Sequence, residues 1–454
     1  MRNISFPKFN WAVYLSLVFI IRIYFLEISW VSFLALCFTL HQFMSLFVFT
    51  GYIIPIRYLF GSFMCLQFLL GPCFAYNGLD QYQYFMYRMR IPEQDYFTYA
   101  IPAVVAFVIG LHISSGKFKG EVFNERKISD FVDSKPSLPY YLIAIGFSSS
   151  VIGSFFSSEL GFLFYLVGGL KFVGLFFIIF SRRQLKISAL ILVFSSIVIS
   201  SLGEGMFHDL LTWLIMLATV YAIKIKPSDL YKFIALIGFI LIALLIQLTK
   251  GEYRSALRSG EEGNIDTFQE VYQKSSQKGS LFNYNKIAEN NTRINQGFIL
   301  TNVMYRVPNI VPYENGAEMV QIFQSAIFPR IIYKEKLRAG DKVIFTKYSG
   351  INLRTGTSMA LGSLSDAYIN FGISGGILFM LFLGLFFSFV LNTFSLYSKN
   401  FPVLLLFTPL VFYYPIRPDC ELQTILGHLI KACFLIWVIH VIWKSTFYKR
   451  YTTA

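Results

Sequence analysis

Arg254, Arg258, Arg293, Arg306, Arg330, Arg338 and Arg354 all lie in one hydrophilic stretch, residues 250–370, stranded between blocks of apolar sequence. A guanidinium stays charged and presents a planar fork of donors, so it grips phosphate oxygens well. Phosphate or diphosphate binding is the chemistry this stretch offers.

Where the stretch begins, Lys250 and Arg254 stand four residues apart, on one helix face, with Tyr253 between them. Two such cations can clamp a lipid diphosphate. Interfacial Lys, Tyr and Arg also anchor helices among headgroups, so both readings stand. Further on, the spacing predicts a helix over residues 283–305 that ends before Pro308 and carries Arg293, Gln296, Gly297 and Leu300 on one face. Residues 317–328 are apolar at Met319, Val320, Ile322, Phe323, Ala326 and Ile327, a pattern for a helix that lies on a membrane or closes a cavity.

Pro329-Arg330 follows, and near the re-entry into apolar sequence Ser363, Asp366 and Asn370 fall at i, i+3 and i+7. A carboxylate such as Asp366 can take the proton of an attacking hydroxyl, or it can satisfy free amides at a helix start. Arg417 lies between Pro415 and Pro418, which fix its backbone direction, with Asp419 and Glu421 close enough in sequence to pair with it.

Several chemistries have no signature. There is no Gly-rich loop ending in Lys-Ser/Thr, no HExxH and no DxD. Cys37, Cys65, Cys73, Cys420 and Cys433 form no CxxC pair and no metal-ligand spacing, and the five histidines are scattered. Neither a metal nor a cofactor is expected.

These side chains must be positioned by a membrane bundle. The chain is 55% hydrophobic and only 14% charged, with mean hydropathy +0.57, far outside the range of soluble domains. Against the roughly 20 residues of a spanning helix, twelve spans are expected near 10–27, 29–50, 54–76, 97–114, 139–157, 160–180, 187–203, 206–223, 233–249, 371–395, 401–416 and 421–443.

The basic loops 117–135, 181–186 and 224–232 and the tail 444–450 then share one side, which is expected to be cytoplasmic together with both termini. Residues 1–249 form an N-terminal bundle, 250–370 one large external loop with short helices, and 371–454 a C-terminal bundle and tail. The net charge of +14 is spread over such loops, so nucleic acid is not an expected partner. Lys171 and Lys431 fall within spans, where a lysine demands a partner or water. On the external side nucleotide-activated donors are absent, which leaves a lipid-linked phosphate or diphosphate as the natural substrate.

The elements at 247–254, Arg293-Ile294-Asn295-Gln296-Gly297, Pro329-Arg330, Thr357-Ser358-Met359 through Asn370-Phe371-Gly372, and Arg417 with Glu421 resemble those of the bacterial oligosaccharide repeat-unit polymerases (O-antigen polymerase, Wzy-type). They resemble the O-antigen ligases more distantly. The motif-like likeness covers about 250–425, and Asp366 stands where the family pattern has Glu before Ala-Tyr.

The resemblance implies an all-α polytopic protein of C-type glycosyltransferase architecture in the bacterial inner membrane. It implies metal-independent growth of O-antigen or a related polysaccharide at the periplasmic face, from undecaprenyl-diphosphate-linked donor and acceptor, among membrane lipids and with a chain-length regulator as a further partner. Arg254, Arg293 and Arg330 would contact the diphosphate or transition state, and Asp366 would be the base. Lys250, Tyr253, Gln296, Arg306, Arg354, Arg417 and Glu421 would bind substrate. A flippase of lipid-linked oligosaccharides, or a ligase, is the alternative.

Overall fold

A chain that must satisfy its backbone inside a bilayer without closing a barrel has only helices to use. The computed structural model describes residues 7–79, 87–113, 123–153, 155–156, 158–183, 187–277, 284–330, 332–353 and 357–443. Among these there is no strand, only an isolated bridge between Thr50 and Ile53.

The first block holds α1 (Trp11–Tyr24), α2 (Trp30–Phe49) and a rod built from α3 (Ile56–Cys65), a π-helical turn (Leu66–Leu70) and α4 (Gly71–Phe74). Next come α5 (Glu93–His112), the short α6 (Glu125–Ser134), α7 (Leu138–Gly153), α8 (Ser158–Gly168), α9 (Leu170–Phe180), α10 (Ile187–Glu204), α11 (His208–Ile225) and the long α12 (Asp229–Arg258). The hydrophilic stretch supplies α13 (Ile265–Gln277), α14 (Tyr284–Ile294), α15 (Gly297–Arg306), α16 (Ala317–Ile327) and α17 (Lys342–Ser349). The chain returns through α18 (Ser363–Tyr397), a 3-10 segment leading into α19 (Thr408–Val411), and α20 (Leu422–Ile442).

Nine helices among the described residues are long and apolar enough to cross a membrane, so the chain is a polytopic membrane protein. The other three of the twelve expected segments are shorter helices, Trp11–Tyr24, Leu138–Gly153 and Pro402–Val411, which fall below the roughly 20 residues of a full crossing.

Small residues bring the backbones together where the helices pack tightest. A Cβ on Gly110 of α5 would collide with the Leu381 carbonyl of α18, and one on Gly384 with the Phe107 carbonyl, so these helices touch backbone to backbone. A buried cation locks the same seam. Arg57 of α3, 3% exposed, donates to the Leu111 carbonyl at the end of α5, to Ser388 Oγ at 2.6 Å and to Asn392 Oδ1 at 2.7 Å.

The irregular α3–α4 rod carries the hydrophilic stretch. Pro72 has no N–H for the carbonyl of Phe68, which accepts from the Tyr96 hydroxyl at 2.8 Å instead. The Gln67 carbonyl accepts from Gln296 N at 3.1 Å, and that of Gly71 from Asn291 Nδ2 at 3.0 Å. These bonds seat the elbow between α14 and α15. The single helix expected over 283–305 is therefore broken at Asn295 and Gln296, and Arg293 does not share a helix face with Gln296, Gly297 and Leu300. The break follows from docking: Asn295 Cα fits against Gly71, where a Cβ would stand 2.8 Å away.

Candidate functional site

Nine residues of α18 precede a sharp kink at Gly372, whose φ of 65° and ψ of −158° belong to a region that essentially only glycine enters. This first segment is buried on all sides from Ser363 to Asn370, and Ser363, Asp366 and Asn370 share one of its faces by their spacing. Each polar group there serves a neighbouring helix. Asp366 Oδ2 accepts from Leu422 N, the first amide of α20, at 3.2 Å. Asn370 Oδ1 accepts from Met319 N in the first turn of α16 at 3.1 Å. Free amides at helix starts need such acceptors.

Holding both helix starts brings a second carboxylate in. Asn370 Nδ2 donates to the Asp366 carbonyl at 2.8 Å and reaches Glu318 Oε2 at 3.4 Å. Glu318 and Asp366 are 8% and 4% exposed. Burial, and behind it the Glu314 carboxylate, push the Glu318 carboxyl up to about 7 against the pull of Lys347 and Asn370. Glu314 itself is held below the usual range by Lys347 Nζ and the Tyr348 hydroxyl, each at 2.7 Å.

Glu318, Asp366, Glu421, Asp341, Arg338 and Gln423 line one cleft. Its cavity volume is about 30 Å³, room for about two waters and none for a sugar ring. A carboxyl poised near neutrality beside such a space can take a proton from a hydroxyl and pass it on. Among the described residues no group of three or more His, Cys, Asp or Glu is arranged to hold a metal ion.

The residues singled out in the sequence are divided among several places. Asp366 and Glu421 meet in the cleft, where Glu421 accepts from Gly340 N at 2.6 Å and from Thr424 Oγ1 at 3.1 Å while burial raises its carboxyl. Arg254 lies elsewhere: its Nε donates to the Gly205 carbonyl just beyond α10 at 2.8 Å. Tyr253 is fully buried beside it, its hydroxyl donating to Leu202 O at 3.0 Å. Lys250 is half-buried one turn earlier on α12.

Arg306 Nε donates to the Lys347 carbonyl at 3.2 Å, at the end of α17. Gln296 gives its amide to the α3–α4 rod. Arg330 is half-buried and close enough to Lys336 that its guanidinium, after burial, pushes the Lys336 amine down. Arg417 is set between two carboxylates, Asp209 at 3.7 Å and Asp419 at 3.6 Å, so the local pairing open in the sequence is joined by a residue from α11. Arg293 ends α14, but its side chain lies outside the described residues, as does Arg354 altogether. Lys171 rests over Phe147 and Phe172, and Lys431 over Phe162, rather than pairing with Glu204 or Asp209.

Glu318 is the group the sequence reading passed over. Its signal was present: it precedes Ile322 by four residues and Ser325 by seven, which puts a carboxylate on the apolar, core-facing stripe of α16. No protein-family model, no curated protein and no solved structure matches the chain.

Proposed function

We propose that the chain lengthens a saccharide by transfer from one lipid-diphosphate-linked oligosaccharide to another, at the membrane face that bears the hydrophilic stretch. In the terms of the resemblance, it polymerises undecaprenyl-diphosphate-linked repeat units into O-antigen or a related polysaccharide on the periplasmic side of the inner membrane. The observation that carries this reading is the buried pair Glu318 and Asp366, at the point where α18 leaves the hydrophilic stretch for the bilayer. An enzyme of this kind needs a proton acceptor there.

An acceptor hydroxyl oxygen attacks the anomeric carbon of the donor, and the bond from that carbon to the diphosphate oxygen breaks. The diphosphate leaves with the bonding electron pair, and the hydroxyl proton goes to the carboxyl pair through Glu318, whose carboxyl burial raises toward neutrality. Negative charge grows on the leaving diphosphate, and the reading assigns its stabilisation to cations of the same stretch, Arg330 and Arg254 among them. The 30 Å³ cleft is a proton site, and the sugars lie at its mouth.

Purified protein in liposomes, given one lipid-diphosphate-linked repeat unit and no energy source, tests the reading. A ladder of longer saccharides is the expected product. Movement of the repeat unit across the bilayer without chain growth would replace the polymerase by a transporter, and growth only after a second lipid acceptor is added would make it a ligase.

A further inference from the structure

Helix α16 runs beside α20, a spanning helix, and the two meet at Gly427 and Ala326: a Cβ on Gly427 would stand 3.8 Å from Ala326 Cα. The same point lies 3.9 Å from Lys431 Nζ, so this amine reaches the seam at the end of α16. Lys431 is about 14 Å along the axis from the start of α20, at 1.5 Å per residue. The chain then turns back. Leu337 N donates to Ser325 Oγ at 3.0 Å, and Lys336 Nζ donates to the Phe328 carbonyl at 2.9 Å, two residues beyond Ala326.

The outer face of this hairpin exposes Val320, Phe323, Ile327, Phe328 and Ile332. Apolar side chains packed alongside a spanning helix face lipid, so α16 and the residues 332–337 that turn back along it enter the bilayer surface rather than stand above it. Their cationic inner side is what needs a partner. Among the described residues neither Lys336 nor Lys431 has a carboxylate; Lys336 has a carbonyl and Lys431 the face of Phe162 at 4.3 Å. Arg330 adds a third positive charge beside Lys336. Two ammonium groups without a carboxylate, one of them well inside a spanning helix and both only partly exposed, call for an anion.

We propose that Lys336 and Lys431 form the seat of a phosphate group carried by a lipid, with the lipid chain lying along the exposed face of α16. The inference deepens the proposed function, resting on it only for the identity of the natural lipid, since the seat would hold the diphosphate end of the substrate.

The test is binding, read without chain growth. Full-length protein in phosphatidylcholine nanodiscs is titrated with farnesyl diphosphate, with inorganic diphosphate and with farnesol. Farnesyl diphosphate is expected to bind, and Lys336→Gln and Lys431→Gln each to weaken it roughly tenfold, the scale of one charge-assisted contact. Lys336→Arg and Lys431→Arg should retain most of the affinity, which separates lost charge from lost folding.

Unchanged affinity in both Gln variants overturns the seat, and inorganic diphosphate binding as tightly as farnesyl diphosphate overturns the assignment to a lipid. Farnesol binding as well as the diphosphate would also overturn it. Lysine-dependent binding in a protein that never lengthens saccharides would leave the seat standing and remove the polymerase; chain growth with lysine-independent binding would do the reverse.

Discussion

The Asp366 carboxylate accepts the backbone amide of Leu422 at 3.2 Å, so the acidic centre of the cleft also holds the first turn of α20. The two roles separate by substitution. Asp366→Asn keeps an acceptor for the amide and removes the ionisable group; Asp366→Ala removes both. The Ala variant should lose about 1–2 kcal/mol in detergent unfolding, the scale of a lost helix cap, and the Asn variant much less. Both should slow chain growth, and an Asn variant with wild-type rate would confine Asp366 to its structural role.

Glu318 makes the pH dependence specific. Its folded carboxyl is raised from 4.5 to about 7, so between those values the folded protein holds a proton that the unfolded chain releases. The stabilising contribution is complete below the unfolded value and is lost as pH rises through about 7. Activity runs the other way, because the ionised form is the proton acceptor. The rate of chain growth should climb with pH through a midpoint near 7, and Glu318→Gln should abolish that limb while lowering the rate by roughly 10²–10⁴. A retained limb in the Gln variant would assign the titration elsewhere.

How the chain announced its fold, and where it kept silent, follows from the range of the forces involved. Hydrophobic runs are local, so the apolar segments and the face shared by Ser363, Asp366 and Asn370 were readable from spacing. The elbow at Asn295 and Gln296 was not, because it depends on Gly71 and the carbonyl of Gln67, more than two hundred residues away in sequence. Arginine was ambiguous in use. An unpaired carbonyl at a helix end competes for the same donors, and Gly205 and Lys347 engage Arg254 and Arg306 in that way. Which carboxylate partners Asp366 was likewise fixed by a helix start meeting Asn370, a contact no single-segment pattern contains.

Arg306 gives its Nε to a carbonyl at the end of α17, so Arg306→Ala should cost about 1 kcal/mol in unfolding. Arg254 is oriented by its Nε bond to Gly205 at the start of the hydrophilic stretch, with the guanidinium half-buried. Arg254→Ala should abolish polymer formation while the protein still reaches the membrane, measured by immunoblot of membrane fractions beside a saccharide ladder. Normal polymer length would remove Arg254 from the diphosphate contacts.

Arg57 tests the scaffold far from the cleft. It joins α3 to the end of α5 and to Ser388 and Asn392, which lie about six to seven turns along α18 from Asp366, beyond the kink at Gly372. Arg57→Met fills similar volume but leaves the Leu111 carbonyl, Ser388 and Asn392 short of a donor in a buried seam, at about 1–3 kcal/mol for each group left unsatisfied. Arg57→Lys restores charge without the planar fork, and a single ammonium does not span two side chains and a carbonyl as a guanidinium does, so it should rescue only part of the loss. Unfolding in detergent should therefore rank wild type above Lys above Met. The pH midpoint of chain growth should stay near 7 in both variants, because neither touches the surroundings of Glu318; a shifted midpoint would mean that the α5–α18 seam transmits strain to the cleft.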